Sequence, residues 1–83
     1  MALILIADDD ELLCTRLAGQ LSSVGHGCHA ETDGERALER LQRHQYDLLV
    51  LDIMLPGLSG FEICRRIHAN PRLYHLPILF ISA

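Results

Sequence analysis

Three consecutive carboxylates, Asp8, Asp9 and Asp10, follow the apolar run 2–7 (ALILIA), and a fourth, Asp52, ends the run 48–51 (LLVL). A hydroxyl, Ser82, closes a further apolar run, 77–82 (PILFIS). If these runs are neighbouring parallel strands, the acids at their ends meet in one cleft although they lie far apart in the chain. Like charges packed that closely repel and raise one another's pKa, a penalty that a divalent cation removes. Three carboxylates with carbonyl and water oxygens suit Mg²⁺, a hard ion that keeps several waters and favours oxygen ligands. The ion would screen the anionic site and let a phosphoryl group approach a carboxylate nucleophile. Ser82, one strand over, could hydrogen-bond a phosphoryl oxygen. Each residue also has a plainer reading. Asp8, Asp9 and Asp10 suit a helix N-cap and first turn, where the helix dipole favours anions. Asp52 also fits an ordinary loop acid, and Ser82 a satisfied strand-end hydroxyl. Joint placement at three strand ends on one edge of a sheet favours the shared site.

The elements that would position these groups alternate. Residues 2–7 are apolar on both faces, as a buried parallel strand is. Leu13, Leu17 and Leu21, with Val24 close behind, form a helical stripe that Gly25 stops. Residues 26–31 (HGCHAE) predict a weak edge strand. Asp33 and Gly34 open a second helix with Ala37, Leu38 and Leu41 inward. Residues 48–51 give the strongest buried-strand signal, followed by the turn Met54-Leu55-Pro56-Gly57. Ser59 and Glu62 have the spacing of a capping box, heading a third helix expected to bury Phe61, Cys64 and Ile67 and ended by Asn70-Pro71. Residues 77–82 are the fourth strand. The order βαβαβαβ predicts an α/β fold, a doubly wound, mostly parallel sheet with helices on both faces and right-handed crossovers. Such sheets bind ligands beyond the carboxyl ends of their strands, where Asp8, Asp9, Asp52 and Ser82 stand.

The length of 83 residues bounds the chain to one small domain, of a size that buries only about 60% of its unfolded surface. The net charge of −4, from seven Lys+Arg and eleven Asp+Glu, argues against direct binding to nucleic acid or an anionic membrane. All seven cations are arginines, so the chain contains no lysine. Cys14, Cys28 and Cys64 are odd in number and form no CxxC pair, which signals neither a zinc site nor a disulfide framework. They are expected to be buried free thiols. The apolar start is too short for a signal peptide and lacks a basic leader, and no apolar run approaches the roughly 20 residues that span a bilayer. A cytoplasmic protein is the expectation. Cys64 and His68 stand at metal-binding i, i+4 spacing but without a second pair. Glu35, Arg36, Glu39, Arg40 and Arg43 suggest a solvated helix face.

ILIADDDELL resembles the opening of a response-regulator receiver domain, whose acidic pair follows the first strand. DLLVLDIMLPGLSGFEICRRI is similar to the receiver segment around the phosphorylated aspartate, and PILFISA to its fourth strand with a terminal Ser/Thr-Ala. The resemblance spans the whole chain. It implies a two-component signalling module that takes a phosphoryl group from a histidine kinase or phosphotransfer protein. Such a module is not an enzyme, apart from weak self-phosphotransfer and autodephosphorylation. The resemblance also implies the flavodoxin-like strand order 2-1-3-4; the chemotaxis receiver is a standard example of 2-1-3-4-5, so this order is not read from the pattern. Residue by residue, Asp52 matches the phosphoacceptor. Asp9 matches the acid that ligates Mg²⁺ directly, and Asp8 the one that reaches it through water. Met54 falls where a backbone carbonyl ligates the metal, Ser82 where a hydroxyl moves toward the phosphoryl group, and Pro56-Gly57 where a tight turn borders the site.

A receiver is expected to run to five βα units, so residues 1–83 resemble a partial domain without the fourth helix, fifth strand and fifth helix. The strand-end lysine and aromatic switch residue belong to those missing units. Absence of lysine puts phosphoryl retention in doubt and keeps open a second function, a pseudo-receiver or interaction module that holds the fold without productive phosphorylation. A phosphotransferring hydrolase ranks last, because it would want an acid two residues after the nucleophile and position 54 is Met. The stretch 70–76 also resembles receivers joined to cyclic-dinucleotide synthase domains. The fourth strand carries no charge and would form a sheet edge. Exposed apolar edges invite pairing, so a homo-oligomer through the fourth-strand region is expected.

Overall fold

The computed structural model describes residues 1–81. Its elements are β1 (Leu3–Ala7), α1 (Glu11–Ser23), β2 (Gly27–Glu31), α2 (Gly34–Arg43), β3 (Leu48–Asp52), α3 (Gly60–His68) and β4 (Ile78–Ile81). The strands form one parallel sheet in the order β2-β1-β3-β4, the order that the resemblance implied. β1 and β3 take the centre, where helices cover both of their apolar faces. Leu5, Ala7, Leu49 and Leu51 pack with Ala37, Leu38 and Leu41 of α2 and Ile63 and Ile67 of α3. Ile4, Ile6 and Val50 turn the other way, onto Cys14, Leu17, Ala18 and Leu21 of α1. Each fully buried leucine or isoleucine contributes about 1.5–3 kcal/mol relative to exposure. The two central strands therefore set the register of the rest.

The helices begin where the sequence placed their caps. Asp10 accepts from the Leu13 amide, Asp33 from Arg36 and Ser59 from Glu62. Only half of the expected capping box forms, since the Glu62 carboxylate turns to Arg65 at 2.6 Å and Arg66 at 3.1 Å. Two inward faces differ from expectation. In α1, Leu13 is 39% exposed and Cys14 takes its place in the core. In α3, Phe61 is 67% exposed and Cys64 only partly buried, whereas Gly60, Ile63 and Ile67 face inward. Gly60 donates to the Ile53 carbonyl at 2.9 Å, and that close approach fixes the helix's rotation one residue away from the phase that Phe61 and Cys64 suggested. Of the three thiols only Cys14 is fully buried. The arginine face of α2 is not wholly solvated either, because Arg40 pairs with Glu31 of β2.

Candidate metal and phosphoacceptor site

Register builds the site. Ala7 stands opposite Leu51 in the β1–β3 pairing, so the next residue along each strand, Asp8 and Asp52, emerges at the same level. One carboxylate oxygen from each of Asp8, Asp9 and Asp52 lies within 4.8 Å of the others. Asp8 is 5% exposed and Asp52 8%, while Asp9 faces solvent. The triplet is thus divided: its first two acids join Asp52, and the third, Asp10, caps α1. The cap reading holds for Asp10, while Asp8 and Asp9 are the members that lie beside Asp52.

The two buried acids are held by backbone donors. Asp8 Oδ1 accepts from the Asp10 amide at 2.9 Å, and Asp52 Oδ1 from the Met54 amide at 3.0 Å. The Asp8 main chain donates to the Glu31 carbonyl at 3.1 Å and accepts from the Cys14 thiol at 3.4 Å. Burial pushes the Asp8 carboxyl above its ordinary value, and the charges of Asp52, Asp9 and Asp10 push the same way against the opposing hydrogen bond from Asp10. Among the described residues no arginine or histidine forms an ion pair with these three acids. The result is an uncompensated, oxygen-only donor set of the kind that hard cations take. The Met54 side chain is exposed. Ile81 of β4 pairs with Asp52, and Ser82 lies outside the described residues.

Gly57 and Gly60 shape the loop beyond Asp52. Gly57 adopts φ +81°, a left-handed conformation that glycine takes at no steric cost. A Cβ on Gly60 would stand 2.8 Å from both the Asp52 carbonyl oxygen and the Ile53 Cα, backbone atoms that cannot swing aside. Sequence reasoning did not single out Gly60; a glycine in the first turn of a helix, where better helix formers are available, was the signal. Gly60→Ala should destabilise the chain by about 1–3 kcal/mol, the usual cost of overpacking. Urea denaturation checks this, and an alanine variant as stable as the parent would show that α3 can slide freely.

A receiver-type α/β sheet with an acid cluster at the carboxyl ends of its two central strands is the class that fold and site define. The profile of the response regulator receiver domain matches residues 4–83, and the chain belongs to that family. It is 41% identical over 83 residues to the transcriptional regulatory protein AfsQ1 of Streptomyces coelicolor, covering 100% of this chain and 36% of AfsQ1. It is 40% identical over 80 residues to the phosphate regulon transcriptional regulatory protein PhoB of Rhizobium meliloti, covering 96% of this chain and 35% of PhoB. The chain thus spans about a third of the length of these curated relatives. Among solved structures, the N-terminal domain of a response regulator receiver protein from Methanoculleus marisnigri superposes with a TM-score of 0.92 at 30% identity, over 96% of this chain and 65% of that one. The chemotaxis response regulator CheY4 of Vibrio cholerae gives 0.93 at 26% identity, over 96% and 67%. The module is therefore a receiver domain of two-component signalling. Among the described residues no helix is long and apolar enough to cross a membrane.

Proposed function

We propose that Asp52 accepts a phosphoryl group from a histidine kinase or phosphotransfer protein, with Mg²⁺ held by Asp8, Asp9, Asp52 and the backbone carbonyl of Met54. The observation that carries this reading is the meeting of the three carboxylates within 4.8 Å, two of them buried and none ion-paired among the described residues. When bound, Mg²⁺ would neutralise the cluster and the incoming phosphoryl oxygens. The chain's own residues do the rest. The Met54 amide fixes the rotation of the Asp52 carboxylate through one oxygen, and the Asp10 amide does the same for Asp8. A carboxylate oxygen of Asp52 bonds to phosphorus as the donor's N–P bond breaks; the leaving imidazole keeps the electron pair and takes a proton from solvent. Ser82 is proposed to hydrogen-bond the transferred group. A kinase donor places the module in the cytoplasm.

Incubation with a small-molecule phosphodonor and Mg²⁺, read by intact mass, tests the proposal. One phosphate per chain is expected; none would overturn it.

The chain is also proposed to self-associate along β4. Leu79 is 54% exposed, and the rings of Phe80 and Phe61, 6.4 Å apart, are both open to solvent. A second copy covering these side chains would stabilise each by about 1.5–3 kcal/mol if burial were complete. Sedimentation over a concentration series should show a dimer at high micromolar concentration. A monomer throughout would show that this surface tolerates water.

A further inference from the structure

We infer that Glu31 and Arg40 are positioning residues for Asp8, a role that rests on the reading of Asp8 as a metal-site acid. Glu31 is the last residue of β2, which forms one edge of the sheet. Its backbone carbonyl accepts the Asp8 amide at 3.1 Å, one step beyond the β1–β2 ladder. Its side chain reaches across to Arg40 of α2, whose Nε donates to the carboxylate. Both side chains are largely shielded, at 17% exposed for Glu31 and 35% for Arg40. The same residue therefore holds Asp8 with its main chain and is itself held by its side chain.

Arg40 is raised above the ordinary arginine value first by that hydrogen bond to Glu31. β2 has a separate tie at its centre, where His29 Nδ1 lies 2.6 Å from the Tyr46 hydroxyl. Arg40 thus fastens α2 to the end of the edge strand. Edge strands are held by a ladder on one side only, and their ends fray first. Without the Glu31–Arg40 pair the end of β2 should loosen, and Asp8 would lose the partner of its amide. Partners one step removed from a metal ligand commonly set its orientation and so its affinity.

Mg²⁺ titration of the chain followed by NMR, with metal alone as the probe, tests the inference. Glu31→Gln and Arg40→Ala are each expected to raise the dissociation constant about 3–10-fold, the scale of one hydrogen bond weakened near the ligand. Hydrogen exchange at the Asp8 amide should quicken in both. Arg40→Lys, which can still offer one cation to Glu31, should recover part of the loss. The sign for Arg40→Ala separates position from charge. Removing an arginine makes the chain more negative, which by charge alone would tighten Mg²⁺ binding, so weaker binding reports a displaced ligand. Asp47→Ala is the control. It deletes the 2.8 Å bond from the Leu3 amide to Asp47 at the opposite end of β1, and should lower stability while leaving the dissociation constant within about twofold. If Arg40→Ala fails to fold, Glu31→Gln, nearly isosteric with the parent, carries the test. A parent chain that does not bind Mg²⁺ overturns the metal-site reading and this inference together. A parent that binds, with Glu31 and Arg40 variants matching it or with Asp47→Ala weakened equally, overturns this inference alone.

Discussion

Asp52→Asn should abolish phosphate uptake from a small-molecule donor in Mg²⁺, where the parent takes up one phosphate. The substitution is nearly isosteric, and the asparagine Oδ1 can still accept the Met54 amide that Asp52 accepts at 3.0 Å. The buried end of β3 and the turn after it should therefore keep their shape. What disappears is the anionic oxygen that forms the bond to phosphorus. Neither neighbour is placed to replace it. Asp8 is buried with one oxygen engaged by the Asp10 amide, and Asp9 stands in solvent, where water competes for any phosphoryl group. Loss of a nucleophile ordinarily costs several orders of magnitude, so at least roughly 100-fold less label is expected at equal time. The variant should also be no less stable than the parent, because it removes one of the like charges confined within 4.8 Å. Circular dichroism establishes that it folds, and intact mass then reads the chemistry. Label on a folded Asp52→Asn chain would mean that another residue is the acceptor.

The parts of this site that the sequence disclosed are those fixed by hydrophobic pattern. Runs 2–7 and 48–51 are apolar on both faces, which fits a strand covered by helices on both sides, and adjacent parallel strands bring their terminal acids to one edge. Asp8, Asp9 and Asp52 were legible for that reason. The division of the aspartate triplet was not, because a cap and a metal-site acid call for the same side chain, and only register separates Asp10 from its neighbours. The inward face of α3 misled for a different reason. Phe61 and Cys64 outweigh Gly60 and Ile63 in apolar character, yet the helix turns on the contact between Gly60 and the Ile53 backbone, which pattern does not encode. Leu13 and Cys14 exchange roles in the same manner at the start of α1. Glu31 and Arg40 were invisible as a pair, since they sit on different elements and each has the local appearance of a solvated charge.

Asp8→Asn should move stability and metal affinity in opposite directions. Burial first, and then the charges of Asp52, Asp9 and Asp10, raise the Asp8 carboxyl above its ordinary value of 3.8. For an acid raised by folding, the folded state binds the proton more tightly than the unfolded state does. Its contribution to stability is then fully present below 3.8 and is lost as pH climbs through the raised value. The metal-free parent should accordingly forfeit this contribution between the two values and remain without it at neutral pH. The asparagine variant carries no such charge, and its Oδ1 can still accept the Asp10 amide, so the difference between the two chains isolates Asp8 from every other titrating group. At neutral pH without metal the variant should be the more stable, and that advantage should vanish at low pH. Mg²⁺ should reverse the ranking. An ion that binds only the folded parent adds about 2.7 kcal/mol at 100 times its dissociation constant, whereas the variant, short of one site carboxylate, should bind roughly 10–100-fold more weakly and gain correspondingly less. Urea denaturation at several pH values, with and without Mg²⁺, gives all four comparisons. A variant less stable than the parent in the absence of metal at neutral pH would show that the cluster carries no net repulsion. A parent indifferent to Mg²⁺ would show that the three acids are held together for some purpose other than a cation.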